Sequence, residues 1–252
     1  MKQNNFFAVI SVSLATVALF ANPVPPGSQD TFNGLDYSLA REFLAGSVTH
    51  DNVEAQCCLG IMYYYGIGTG YDYTKAREWF AKAAGQNNAW AQYYLGNIYR
   101  NGYGVPEDAV KALEWFTKAA DQNLAIAQYE LGLIYESGCS GVPMDKAKAL
   151  EFFTKSADSA EEQNFPEGAF ALGCAYYHGD GISKDYLKAR DWFQKAADLG
   201  CAKSQYMLGI MYFFEIGVDK DEIKAEEYLR KAANQNHPNA KLMLQLLNNS
   251  TP

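Results

Sequence analysis

"AQYYLGNIYRNGYGVPEDAVKALEWFTKAAD", Ala91 to Asp121, decides the fold. Ala91, Leu95 and Tyr99 recur every four residues and so share one face of a helix, here called A. Ala112, Trp115 and Ala119 are spaced 0, +3 and +7 and mark one face of a second helix, B. Gly102 and Gly104 stand between them and permit the tight turn of an αα-hairpin. The next stretch, "AQYELGLIYESGCSGVPMDKAKALEFFTKSAD" from Ala127 to Asp158, says nearly the same thing again.

The repetition extends in both directions. Leu-Gly pairs begin at Leu59, Leu95, Leu131, Leu172 and Leu208, spaced 36, 36, 41 and 36, and Leu244 lies 36 further on. The longer step comes from "SGCSGV" and "SADSAEEQNFPEG", which place extra residues in connecting segments where insertion is tolerated. Four residues after each Leu stands Tyr63, Tyr99, Tyr135, Tyr176 or Tyr212. Four before it is a small residue: Ala55, Ala91, Ala127, Gly168, Ser204 and finally Ala240. The B pattern repeats as Ala76, Ala112, Ala149, Ala189 and Ala225, each followed at +3 by Trp79, Trp115, Phe152, Trp192 or Tyr228 and then by a "KAA" or "KSA". One hairpin cannot bury both of its apolar faces, whereas stacked hairpins can. The expected class is all-α, an α-solenoid of αα-hairpins about 36 residues long.

The ends fit that reading. "DYSLAREFLAGS", Asp36 to Ser47, matches a B helix alone, and "NAKLMLQLLNN", Asn239 to Asn249, matches an A helix alone. Residues 36–249 therefore read as a half unit, five full units and a half unit, with a polar tail at 250–252. Ahead of them, residues 1–21 read as a secretory signal peptide: one Lys, then an uncharged run from Phe6 to Ala21. A membrane anchor is the alternative, but sixteen apolar residues are short for a span. Residues 22–35 read as a Pro/Gly-rich linker. The expected location is the periplasm or the exterior.

The chain has 252 residues and a net charge of −8. Acidic balance without a Lys/Arg run argues against nucleic acid and against an anionic membrane as partners. The five cysteines, Cys57, Cys58, Cys139, Cys174 and Cys201, form no metal-type spacing, and most read as small apolar helix residues. Their disulfide state stays open. His50, His178 and His237 are far apart in a linear array. "GIGTGY" lacks the Lys of a phosphate loop, and "HGDGISKD" lacks the ligands of an EF-hand. No catalytic residue, metal or cofactor is expected.

The pattern A-x-x-x-L-G-x-x-Y-x-x-G-x-G-V followed by K-A-x-x-W-F-x-K-A-A resembles the Sel-one-like repeat family, cousins of the tetratricopeptide repeat, from about Asp36 to Leu247. The resemblance implies a right-handed superhelix (α-solenoid) of αα-hairpins that serves as a protein-binding scaffold or adaptor. It also implies roles in envelope assembly, host contact or toxin neutralisation for exported members. The family's Helicobacter cysteine-rich branch, associated with penicillin binding, pairs cysteines across each hairpin. This chain has no such pairs and no S-x-x-K.

By the same resemblance the A helices line a concave groove. The candidate partner-binding residues are Tyr64, Tyr65, Trp90, Tyr93, Arg100, Asn101, Tyr129, Tyr177, His178, Phe213 and Phe214. Aromatic residues and Arg are the types that anchor protein partners. The Tyr93 and Tyr129 row, two residues before each Leu, has packing between repeats as its alternative role. The expected molecule is a monomer that binds one protein partner.

Overall fold

A computed structural model describes residues 52–68 and 70–250. The expected signal peptide at 1–21, the expected linker at 22–35, the expected half unit at 36–47, His50 and residues 251–252 lie outside the described residues.

Two compact units divide between Gln122 and Asn123. The first holds α1 (Val53–Tyr65), α2 (Tyr73–Gly85), α3 (Ala89–Asn101) and α4 (Ala109–Ala120). The second holds α5 (Ala125–Ser137), α6 (Lys146–Asp158), the single turn α7 (Ala160–Gln163), α8 (Glu167–His178), α9 (Tyr186–Asp198), α10 (Ala202–Phe214), α11 (Glu222–Asn234) and α12 (Pro238–Ser250). The A helices are α1, α3, α5, α8, α10 and α12, and each of the first five packs on the B helix that follows it. Among the described residues there is no strand, only an isolated bridge between Cys139 and Val142. The all-α class built of repeated hairpins is therefore what the chain adopts.

One Asp per hairpin sets the turn. The side chains of Asp72, Asp108, Asp145, Asp185 and Asp221 accept the N–H of the Lys three residues on, capping each B helix. The backbone N–H of each same Asp donates to the carbonyl of the repeated Tyr on the A helix, at 2.8–3.1 Å. The start of B is thus tied to the end of A. Gly66, Gly102 and Gly179 close their A helices in the left-handed conformation. Glu215 does the same work at φ 57° without glycine's freedom.

The deepest side chains are Phe80, Phe116, Phe153, Phe193 and Leu229, all essentially inaccessible. Each lies one residue beyond the repeated B aromatic, and each faces the Gly of a Leu-Gly pair. A Cβ built on Gly60 would come 2.5 Å from the Phe80 ring, and one on Gly96 2.6 Å from Phe116. The glycine is what lets A and B approach this closely. Burying such a ring contributes about 1.5–3 kcal/mol. The repeated aromatics themselves are half-buried, and the Lys of each "KAA" or "KSA" lies over them. Lys82, Lys118 and Lys195 stand 4.0, 4.1 and 4.1 Å above Trp79, Trp115 and Trp192.

A second repeated element is polar. Gln56, Gln92 and Gln205 are buried three residues before their Leu. Each meets a Gln thirty residues on, beyond the end of its B helix: Gln86 at 2.9 Å, Gln122 at 2.7 Å and Gln235 at 2.9 Å. The amide pair satisfies groups that would otherwise be stranded in the interior. The fourth hairpin places Ala169 and Leu199 at the same two positions, so both partners change together.

The two insertions are ordered. "SGCSGV" forms the small turn bridged between Cys139 and Val142. The longer one forms α7 and carries Gln163 back to the start of α5, where its Oε1 accepts the Ala125 N–H at 2.9 Å. Asn52 and Asn88 cap α1 and α3 by accepting the N–H of Ala55 and Ala91, whereas Leu124 offers α5 no side-chain acceptor. The extra residues therefore provide a cap that the repeat has lost.

Candidate functional site: the A-helix faces

In the first unit the A-helix face is a connected set of rings. Tyr65 meets Tyr64 at 4.9 Å, Tyr64 meets Tyr94 at 5.4 Å, Tyr94 meets Tyr93 at 5.3 Å, and Tyr93 meets Trp90 at 6.0 Å. The path runs from the end of α1 to the start of α3, mostly through edge-to-face contacts. Its members differ in role. Tyr64 also packs on Tyr73, Phe80 and Tyr103, and burial among these rings and hydroxyls pushes its pKa far up. Tyr64, Tyr65, Trp90 and Tyr93 are all half-buried, whereas Tyr94 is buried. Arg100 holds its guanidinium 5.8 Å from the Phe116 ring. Asn101 is exposed and donates to the Asn97 carbonyl at 2.9 Å.

The row two residues before each Leu packs against its own B helix. Tyr93 reaches Phe116, Tyr129 reaches Phe153 and Phe170 reaches Phe193, all at 5.8 Å. These rings wall the face and build the core at once, while Cys57 in the same row is fully buried.

In the second unit the face presents two aromatic pairs on neighbouring A helices. Tyr177 and His178 on α8 meet edge-to-face at 5.0 Å. Phe213 and Phe214 on α10 meet at 4.8 Å, with Lys220 5.9 Å over Phe213. Phe214 is 56% exposed, unusual for a large apolar side chain and hence a contact candidate. The eleven predicted site residues thus group by unit: Tyr64, Tyr65, Trp90, Tyr93, Arg100 and Asn101 in the first, the other five in the second.

Sequence reasoning missed a polar line at the other end of the second unit's A helices. Glu167 opens α8, Lys203 lies in the first turn of α10, and His237 precedes α12 and stacks on Tyr206 at 4.6 Å. Glu167 Oε2 and His237 Nδ1 are buried with no hydrogen-bond partner in the protein. Burial raises the Glu167 pKa, and burial followed by the Lys203 charge lowers that of His237. Spacing hinted at this line, since Glu167 and Lys203 each stand five residues before their Leu.

Among the described residues no group of three or more His, Cys, Asp or Glu side chains could hold a metal ion. The five cysteines are free thiols. Burial pushes Cys58 up to about 11 and Cys174 up to about 12, which keeps both protonated and poor as nucleophiles. No described helix is long and apolar enough to cross a membrane.

Comparison with solved structures gives the same architecture. The chain is similar to a Sel1 repeat protein from Oxalobacter formigenes, with 31% identity and TM-score 0.75 over 81% of each chain. It is similar to a protective antigen of uropathogenic Escherichia coli, with 27% identity and TM-score 0.53 over 86% of this chain and 53% of the antigen. An immunity protein from Pseudomonas aeruginosa shares the fold at 18% identity, with TM-score 0.54 over 84% of this chain and 83% of the other. A search of curated proteins found no match. Sel1 repeats are matched at residues 53–88, 91–124, 125–160, 166–201 and 202–237, one per hairpin. Such repeats are generally non-enzymatic scaffolds suited to protein interaction. With five of them in register, the chain belongs to the Sel1 repeat family.

Proposed function

We propose that this protein is an exported adaptor that binds a protein partner through its A-helix faces. The observation that carries the reading is the ring path from Tyr65 to Trp90, which continues to the surface instead of ending in the core. Rigid aromatic side chains give large contact area at small entropic loss, and Arg100, over the Phe116 ring on which Tyr93 packs, adds a directional donor. The single Lys followed by the uncharged run from Phe6 to Ala21 supports export. The test is recovery of partners from the exported fraction of the native host with the full chain and with Trp90→Ala/Arg100→Ala. Selective loss of a partner is expected, and unchanged recovery would sink the assignment.

A second reading is an immunity-type inhibitor, favoured by the fold shared with the Pseudomonas immunity protein. It requires a tight one-to-one complex with a toxin, visible as a single stoichiometric species in size-exclusion chromatography with light scattering. An adaptor would instead recover partners at weaker or mixed stoichiometry.

A further inference from the structure

We infer that residues Asn22 to Asp30 of this chain, the stretch that carries Pro23, Pro25 and Pro26, dock intramolecularly as a polyproline II strand on a cluster of tyrosines at the tips of the first two hairpins. Such docking goes beyond the adaptor role and does not depend on it.

Five rings meet at that place. Tyr64 and Tyr65 end α1, Tyr71 and Tyr73 flank the Asp72 cap of α2, and Tyr103 lies in the turn after α3. Tyr73 and Tyr103 stack at 4.7 Å. Tyr64 stands edge-on to both, at 5.6 and 5.7 Å, and to Tyr65 at 4.9 Å. Tyr71 lies 6.2 Å from Tyr73 and is 60% exposed, while Tyr65, Tyr73 and Tyr103 are half-buried. An aromatic surface therefore crosses from one hairpin tip to the next and reaches solvent. Hairpin packing does not call for it. The residue before the capping Asp is Glu107, Met144, Lys184 or Lys220 in the other hairpins. The position of Tyr103 holds Ile67, Asp180 and Ile216 in three of them.

The chemistry of the segment matches these rings. Proline packs on aromatic faces, and a polyproline II backbone is ordered before it binds. Proline has no N–H and leaves backbone carbonyls as acceptors, and tyrosine hydroxyls can donate to them. Asn22 to Ser28 carries no charge, and tyrosines are neutral at pH 7.

The tether is long enough. Twenty-five residues, Gly27 to Asp51, separate Pro26 from Asn52, the cap of α1. Even with residues 36–47 wound into the expected helix they span up to about 60 Å, at about 3.3 Å per extended and 1.5 Å per helical residue. The far end of α1, with its two rings, is only about 20 Å from Asn52. Tethering presents the segment at an effective concentration on the order of millimolar, so a weak contact suffices to keep it seated. A proline-rich segment of another protein would have to match that concentration.

The experiment is hydroxyl-radical footprinting, read by mass spectrometry, of the full chain expressed in its native host. Oxidation of Tyr65, Tyr71 and Tyr103 is expected to be lower in wild type than in Pro25→Gly/Pro26→Gly, with Phe214 oxidised equally in both. A labelled peptide of residues 22–30 added to that variant should restore the protection. Its fluorescence polarisation should report binding that is lost when Tyr71→Ser/Tyr103→Ser is added, with circular dichroism unchanged. Equal oxidation in wild type and the proline variant would overturn the inference. So would a peptide that does not bind, or one that still binds after Tyr71→Ser/Tyr103→Ser. Protection that disappears on dilution would place the segment on a second copy and overturn the intramolecular seat. None of these outcomes moves the Trp90→Ala/Arg100→Ala recovery test, so the adaptor reading stands or falls separately.

Discussion

Gly96 and Phe116 occupy one space: a Cβ on the glycine would sit 2.6 Å from two carbons of the ring. Both are buried, and Phe116 is wholly inaccessible, so neither can yield toward solvent. Gly96→Ala is expected to destabilise the protein by about 1–3 kcal/mol, the usual range for overpacking. Adding Phe116→Leu, the residue type used opposite Gly209, should recover part of that loss. Chemical denaturation of the four-member cycle measures it, and additive losses would show that the two residues do not share the space.

The glutamine pair makes a second coupled prediction. Gln92→Ala removes the partner that Gln122 meets at 2.7 Å and should destabilise by roughly 1 kcal/mol. Gln92→Ala/Gln122→Leu recreates the Ala169 and Leu199 combination of the fourth hairpin and should be close to neutral. Thermal unfolding distinguishes these outcomes.

Glu215 holds φ 57° at a helix end where other hairpins use glycine. Left-handed backbone costs a side-chain-bearing residue about 1–2 kcal/mol. Glu215→Gly is therefore expected to raise the melting temperature, with the loss of unfolded-state restriction offsetting part of the gain. A lowered melting temperature would mean that the Glu side chain contributes more than its backbone strain takes away.

The capping aspartates make stability depend on acid. Hydrogen bonds from the backbone N–H of Lys75, Lys111, Lys188 and Lys224 hold the carboxyls of Asp72, Asp108, Asp185 and Asp221 below their ordinary pKa. A depressed folded-state pKa means stability fully present above the unfolded value and lost as pH falls through the folded one. Stability should therefore decline below about pH 4. Asp108→Asn keeps a capping acceptor but cannot titrate, so its unfolding free energy should fall less steeply with acid than wild type. Parallel slopes would contradict this origin of the acid dependence.

Much of the architecture was legible in the sequence because a repeat states its packing rules five times. The spacing of Ala91, Leu95 and Tyr99 and of Ala112, Trp115 and Ala119 fixed which residues share a face, and Gly102 fixed where the chain turns. Periodicity assigns faces but not depth. It could not show that Phe116, one residue past Trp115, is the ring that fills the hairpin, because adjacent helix positions differ by only 100° and both are aromatic.

The sequence by itself determined the helix order, the hairpin unit and the positions of the insertions, since local spacing and turn chemistry specify those. Only the tertiary structure decided that Gln92 and Gln122 form a buried pair, that Gln163 caps α5 and that Glu167 keeps an unpaired oxygen. Those relationships join residues thirty to forty positions apart or depend on neighbouring hairpins. Burial and hydrogen-bond satisfaction are properties of what surrounds a group, and no local pattern carries them.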